Sequence, residues 1–169
     1  MFTSYKIAHY LRSSFKEIKA FVPYQAASGG TLICCGANEI YLGDLGNLTP
    51  IDPQVRYKET RVSAQAFERI VDGMKTLYGE YSPTEVPTPW QQMADKIDPV
   101  IFDEMQTLMF TTFAYALRLL DATKYEHSKA VGIAYRLSRT QNNHSHPILR
   151  SEAVEIGFNI KEDKEQIKT

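Results

Sequence analysis

Ser28 is the residue whose type and setting best suit chemistry in this sequence. It lies in the run FVPYQAASGGTLICC, residues 21–35, where an extended segment should turn sharply into a short apolar helix. The first backbone N–H groups of a helix have no intrahelical acceptor, and the positive end of its dipole favours a developing negative charge. Gly29 and Gly30 allow a substrate or another backbone to come close. A serine in that position can attack a carbonyl carbon while the Gly29 N–H holds the resulting oxyanion. The same residues also describe an ordinary helix start with Ser28 as its N-cap. The pattern is not the Gly-x-Ser-x-Gly elbow, because Ala26 stands where its first glycine would be.

The elements that must position Ser28 follow from hydrophobic patterning. Ala20, Phe21 and Val22, ended by Pro23, predict a fully buried strand. Residues 31–35 are apolar all round and short, which predicts a helix inside the protein. Before them, Ile7, Ala8, Leu11, Phe15 and Ile18 recur at helical spacing over 3–19. After them, 39–42 and 48–51 predict two short strands around a glycine-bearing turn at 43–47. This alternation predicts an α/β fold with a largely parallel sheet covered by helices. Ser63 is expected to cap a helix with Ala64, Phe67, Ile70, Val71, Met74 and Leu77 on one face. Three prolines around Trp90 predict a loop or arm over 79–90. Long helices are expected at 99–120 and 124–139, a polar loop at 141–146, a short helix ending at Gly157, and an edge strand near Phe158 and Ile160.

Composition narrows the classes. The chain has 169 residues, 43% of them hydrophobic, which suits one domain with a sizeable core. The expected organisation is a single domain over 1–160, its α/β part at 1–62 and a mainly helical part at 63–160, then a charged tail at 161–169. Nineteen basic residues are interspersed with twenty acidic ones for a net charge of -1, which argues against a nucleic-acid partner. Cys34 and Cys35 are adjacent in an apolar run, so they read as core residues in a reducing compartment rather than as a disulfide or metal framework. No metal site and no cofactor motif is read from the sequence. No apolar stretch reaches ~20 residues, and a cytoplasmic protein is expected.

Three blocks in order, AASGGTLICCGANEI, LTPIDPQV and NHSHPILRSEAVEIGFNI, resemble the serine dehydrogenase proteinase family. That family comprises Clp-like serine peptidases of the crotonase-like superfold, related to signal peptide peptidase A. The resemblance covers nearly a third of the chain. It implies a crotonase/Clp-protease-like α/β domain whose first block carries the nucleophilic serine, here Ser28, with Gly29 as oxyanion donor. The His-x-x-Pro-Ile block places His144 as the preferred base, and the Asp-Pro-Gln block offers Asp52 as the carboxylate that orients it. His144 also reads as a loop histidine, and Asp52 with Pro53 also reads as a turn starter. His146 suits a packing role. A lysine base would need burial to become neutral near pH 7; by position the candidates are Lys58 and Lys96, both in polar sequence.

The family carries, before its first helix, a strand and a Pro-Gly-Gly type loop that supplies another oxyanion donor. This sequence begins at Met1 where that loop should have finished. The expectation is therefore a domain incomplete at its N-terminus, with an open sheet edge, an oligomeric state, and a second chain as one source of the absent segment. A membrane anchor lost with that segment is a further expectation. The function expected is peptide-bond hydrolysis through a Ser28 acyl-enzyme, with a peptide or unfolded protein as substrate. The alternative is a catalytically inactive scaffold or interaction subunit, and an acyl-CoA enzyme of the crotonase type ranks behind both.

Overall fold

The structure, a computed structural model, describes residues 2–57, 59–79, 87–140 and 144–161. It is a mixed α/β protein in which helix predominates and the sheets are small. The elements fall into two compact units, 1–52 with 111–169 and 53–110.

The first unit opens with helix α1, Phe2–Ser14, followed by strand β1, Lys19–Val22, and the short strand β2, Gln25–Ala26. Helix α2, Gly29–Cys34, leads to strand β3, Glu39–Leu42, and then to β4, Asn47–Leu48. Strands β1 and β3 pair in parallel with Ala20 opposite Ile40 and Val22 opposite Leu42. The two-residue strands β2 and β4 continue this parallel course with Ala26 opposite Leu48. The expected parallel arrangement with an intervening helix is present.

Three local expectations are corrected. The 20–22 strand exists, but it is not fully buried: Val22 is covered while Phe21 is 48% exposed. Among the described residues β1 pairs with β3 alone, so it lies at the edge of its sheet. Apolar composition reports that a strand wants cover, not which faces receive it. Phe21 meets part of that demand by stacking on Tyr41, ring centroids 4.8 Å apart. Helix α1 stops at Ser14 rather than near Lys19, because Lys19 already belongs to β1. The strand expected at 48–51 ends at Leu48, since Pro50 lacks the N–H that a ladder needs.

The second half of this unit contains the end of helix α5, Pro99–Asp121, then α6, His127–Tyr135, which runs on as a π-helical stretch, Arg136–Thr140. Short helix α7, Arg150–Ile156, follows, and strand β7, Ile160–Lys161, adds in parallel to β3. Helix α7 ends at Gly157 as expected. That residue takes φ 118, a left-handed conformation costly for residues with a Cβ, and its N–H returns to Val154 O at 3.0 Å. The core of the unit gathers Leu32, Leu42, Leu48 and Ile51 with Leu120, Ile133, Leu137 and Ile148, all fully buried. Burying each such side chain contributes about 1.5–3 kcal/mol.

The unit at 53–110 has a hairpin that patterning did not reveal, β5, Gln54–Tyr57, antiparallel to β6, Thr60–Ser63. Ser63 caps helix α3, Ala64–Gly79, as expected, its hydroxyl accepting the Ala66 N–H at 3.3 Å. Ala64, Phe67 and Met74 are buried, but Ile70 on the expected face is half exposed. Trp90 does not sit in a loop: it lies in helix α4, Thr88–Ala94, whose second residue is Pro89. A proline at a helix start costs little, because that N–H has no partner anyway. The remainder of the expected arm, 80–86, lies outside the described residues. So do Lys58, residues 141–143 of the polar loop expected at 141–146, and the tail at 162–169. Met105 and Met109 of α5 complete this unit's cluster with Val55, Ala64 and Phe67.

Candidate active site

Ser28 follows β2 by two residues and immediately precedes α2. Its backbone has φ 42 and ψ -93, and among the described residues it is the one non-glycine with positive φ. Such a conformation costs on the order of 1–3 kcal/mol and persists only where the surroundings impose it. The Ser28 side chain makes no capping hydrogen bond to α2. An N-cap serine uses ordinary extended backbone and turns its hydroxyl onto the helix; Ser28 does neither. The ordinary helix-start reading therefore does not describe it.

The surroundings that impose the turn are two buried threonines. The Ser28 N–H donates to Thr49 Oγ1 at 2.8 Å. Thr31 Oγ1 lies 2.7 Å from Ala26 O and 2.8 Å from Thr49 O, and it accepts the Thr49 N–H at 3.1 Å. The Thr49 N–H is shared with Ala26 O at 3.2 Å. Thr31 and Thr49 are 0% and 2% exposed. The end of β2, the start of α2 and the residue after β4 are thus joined by side-chain bonds, of which those between Thr31 and Thr49 are fully buried.

Three residues beyond Thr49, the Asp52 carboxylate meets His144: Oδ1 lies 2.6 Å from Nδ1. Asp52 is 1% exposed, whereas the His144 side chain remains a quarter exposed. With Asp52 ionised and His144 neutral, Nδ1 donates to the carboxylate and Nε2 keeps its lone pair. This is the tautomer a general base requires. Asp52 Oδ2 is buried with no hydrogen-bond partner among the described residues. Residues 49–53 form no turn, so the turn-starter reading of Asp52 is not what the backbone does.

The loop that carries His144 is held at two further points. His146 Nε2 lies 3.1 and 3.0 Å from the two Glu152 oxygens, which gives His146 a local structural partner. Ile148 exchanges both backbone hydrogen bonds with Leu48, at 3.0 and 2.9 Å. The segment Leu48 to Asp52 therefore touches every other part: Leu48 holds the histidine loop, Thr49 holds Ser28, and Asp52 holds His144. Thr49 and Asp52 are separated by no more than about 11 Å of chain.

Gly29 is the first residue of α2, so its N–H has no acceptor within the helix. A Cβ placed on it would meet the Ser4 hydroxyl of α1, which would have to turn away. Lys96 is exposed and lacks the burial that a lysine base needs. Cys34 and Cys35 are free and buried. Burial pushes the Cys34 thiol up to about 12 and the Cys35 thiol higher still, with the neighbouring Cys34 adding to the latter, so neither offers a thiolate near neutral pH. Among the described residues no three His, Cys, Asp or Glu side chains cluster as metal ligands, and no helix is long and apolar enough to cross a membrane.

Sequence reasoning named Ser28, Gly29, Asp52 and His144 but missed Thr31 and Thr49. A threonine buried in an apolar run needs a polar partner, but the sequence does not say which one. Comparisons with known proteins find two uncharacterized proteins of Methanocaldococcus jannaschii. One is 28% identical over 159 residues, covering 92% of this chain and 47% of its own length. The other is 22% identical over 160 residues, covering 93% of this chain and 47% of its own. The chain thus spans about half the length of these relatives. No family model matches the chain. No solved structure matches it either.

Proposed function

We propose that this chain is a serine peptidase of Clp/crotonase-like fold that cleaves peptide bonds through a Ser28 acyl-enzyme. The observation that carries the reading is the conjunction of an uncapped, positive-φ serine with a partly exposed His144 paired to the buried Asp52, both attached to one five-residue segment. In the reaction, His144 Nε2 takes the Ser28 hydroxyl proton as Oγ bonds to the scissile carbonyl carbon. The carbonyl oxygen becomes an oxyanion, which the Gly29 N–H stabilises. Collapse breaks the C–N bond, and the leaving amine takes the proton from His144. Water then repeats the sequence on the ester, releasing the acid and restoring the serine. Asp52 holds the imidazole in the required tautomer throughout. The substrate class is a peptide or an unfolded protein segment.

The first prediction tests the nucleophile. A fluorophosphonate probe should label Ser28, and Ser28→Ala should abolish both labelling and peptide hydrolysis; a Ser28→Ala protein that hydrolyses peptides at the original rate sinks the proposal.

A second reading is an interaction subunit that keeps the fold without turning over. The outer edge of β1 favours it: Phe21 is half exposed, and beside it Ala8, Leu11, Ile18, Ala20, Val22 and Ile33 line an apolar groove of ≈ 310 Å³. An unpaired strand edge of this kind suits another strand, from a further copy of the chain or from a partner supplying a segment. Absence of a Ser28 adduct in the purified assembly, with a mass by sedimentation above that of one chain, decides for this reading.

A further inference from the structure

We infer that Thr49 is a positioning residue for the Ser28 nucleophile, an assignment that rests on the proposed acyl-transfer role of Ser28. The Thr49 hydroxyl does what a helix or strand would do elsewhere: it gives the Ser28 N–H its acceptor, at 2.8 Å. A serine at φ 42 cannot take that acceptor from a regular ladder, so the backbone conformation and the threonine depend on each other. The geometry of the hydroxyl is itself constrained. Pro50 O, 3.3 Å away, is the acceptor in reach of its hydrogen, an arrangement that leaves lone-pair density toward Ser28. Thr31 fixes Thr49 from the other side by accepting its N–H and bonding its carbonyl. Both threonines are buried while Ser28 is only partly so, which leaves the Thr49 hydroxyl as the acceptor fixed by the core at that N–H.

Burial makes the substitution logic sharp. Valine matches threonine in shape but has no hydroxyl, so Thr49→Val keeps the packing and deprives the Ser28 N–H of its acceptor. Serine keeps the hydroxyl and loses only a methyl. A purely structural role for Thr49 as a small core side chain ranks valine above serine. A positioning role ranks serine above valine.

The experiment measures fluorophosphonate labelling rate and Ser28 amide hydrogen exchange on the same full-length proteins. Thr49→Val should label more slowly, on the order of 10²-fold, as expected when a reacting atom is misplaced by about 1 Å. The Ser28 amide should exchange several-fold faster in Thr49→Val, and Thr49→Ser should restore both readouts. Wild-type labelling in Thr49→Val, or failure of Thr49→Ser to rescue, overturns the inference. Should Thr49→Val not fold, the wild-type exchange decides: a Ser28 amide that exchanges as fast as an exposed loop amide overturns the inference without any variant. If the wild-type protein does not label at all, the Ser28 reading falls. The exchange rates then decide for Thr49 alone, faster in valine and restored in serine upholding the hold on Ser28, unchanged in valine overturning it.

Discussion

The two compact units solve different problems with different materials. The unit at 53–110 is built on a small apolar cluster, Val55, Ala64, Phe67, Met105 and Met109, beside a hairpin and the ends of two helices. The unit formed by 1–52 and 111–169 buries a much larger apolar set and places Thr31, Thr49, Asp52, Thr112 and Ser138 inside it as well, against Gln65 among the described residues of the other unit. Buried polar groups cost stability unless satisfied, and a strained serine costs more. A large surrounding core can carry such costs, and a five-residue cluster has little to offset them with. The candidate chemistry lies in the unit with the larger apolar core.

The largest effect expected from breaking this contrast is catalytic. Asp52→Asn keeps the shape of the buried pair while reversing which partner donates. Peptidase turnover should fall on the order of 10³–10⁴-fold, because the imidazole would be held in the wrong tautomer. Steady-state kinetics checks this, and a decrease below tenfold removes Asp52 from the role of orienter.

The next effect is energetic and compares the units directly. Leu32→Ala, at a site with no exposure inside the larger core, should destabilise by about 3–5 kcal/mol, whereas Met109→Ala should cost about 2–3 kcal/mol because methionine's flexible neighbours collapse into the space more readily. Urea denaturation of both variants tests the ordering. Equal losses would mean that the smaller cluster is as tightly packed as the larger one.

The smallest expected effect concerns reactivity. With its thiol pushed up to about 12 by burial, Cys34 should resist iodoacetamide at neutral pH in the folded protein and react promptly on unfolding. Rapid alkylation of the native chain, read by mass spectrometry, would show that the core around α2 opens far more often than its packing implies.

What the sequence made legible divides along similar physical lines. Local signals read well where one residue type forces one conformation: Gly157 ending α7, Ser63 capping α3, and the short buried helix after Ser28. Helix α5 was readable because its apolar residues recur over more than twenty positions. Phe21 was misjudged because composition does not say which strand will be left at an edge. The 54–63 hairpin escaped because Gln54 to Tyr57 alternates over only four residues and its partner, Thr60 to Ser63, is mostly polar with none of its residues fully buried. At the site, Ser28, Asp52 and His144 each had a legible setting, and the family resemblance alone offered Asp52 as the orienter of His144. The Asp52–His144 contact joins residues 92 positions apart, and no local pattern encodes such a pairing. The threonine bonds were invisible for the same reason, since Thr31 and Thr49 meet only once the parallel strands are in register.

The course of residues 48–52 also makes chain length a chemical variable. Leu48, Thr49 and Asp52 each serve a different partner from one stretch of backbone, so their separations act as a ruler between serine and histidine. Adding or deleting a single residue between Thr49 and Asp52 would leave composition, charge and hydropathy almost untouched. It would nonetheless displace one attachment relative to the other by a full backbone step of about 3.5 Å, longer than the hydrogen bonds at either end.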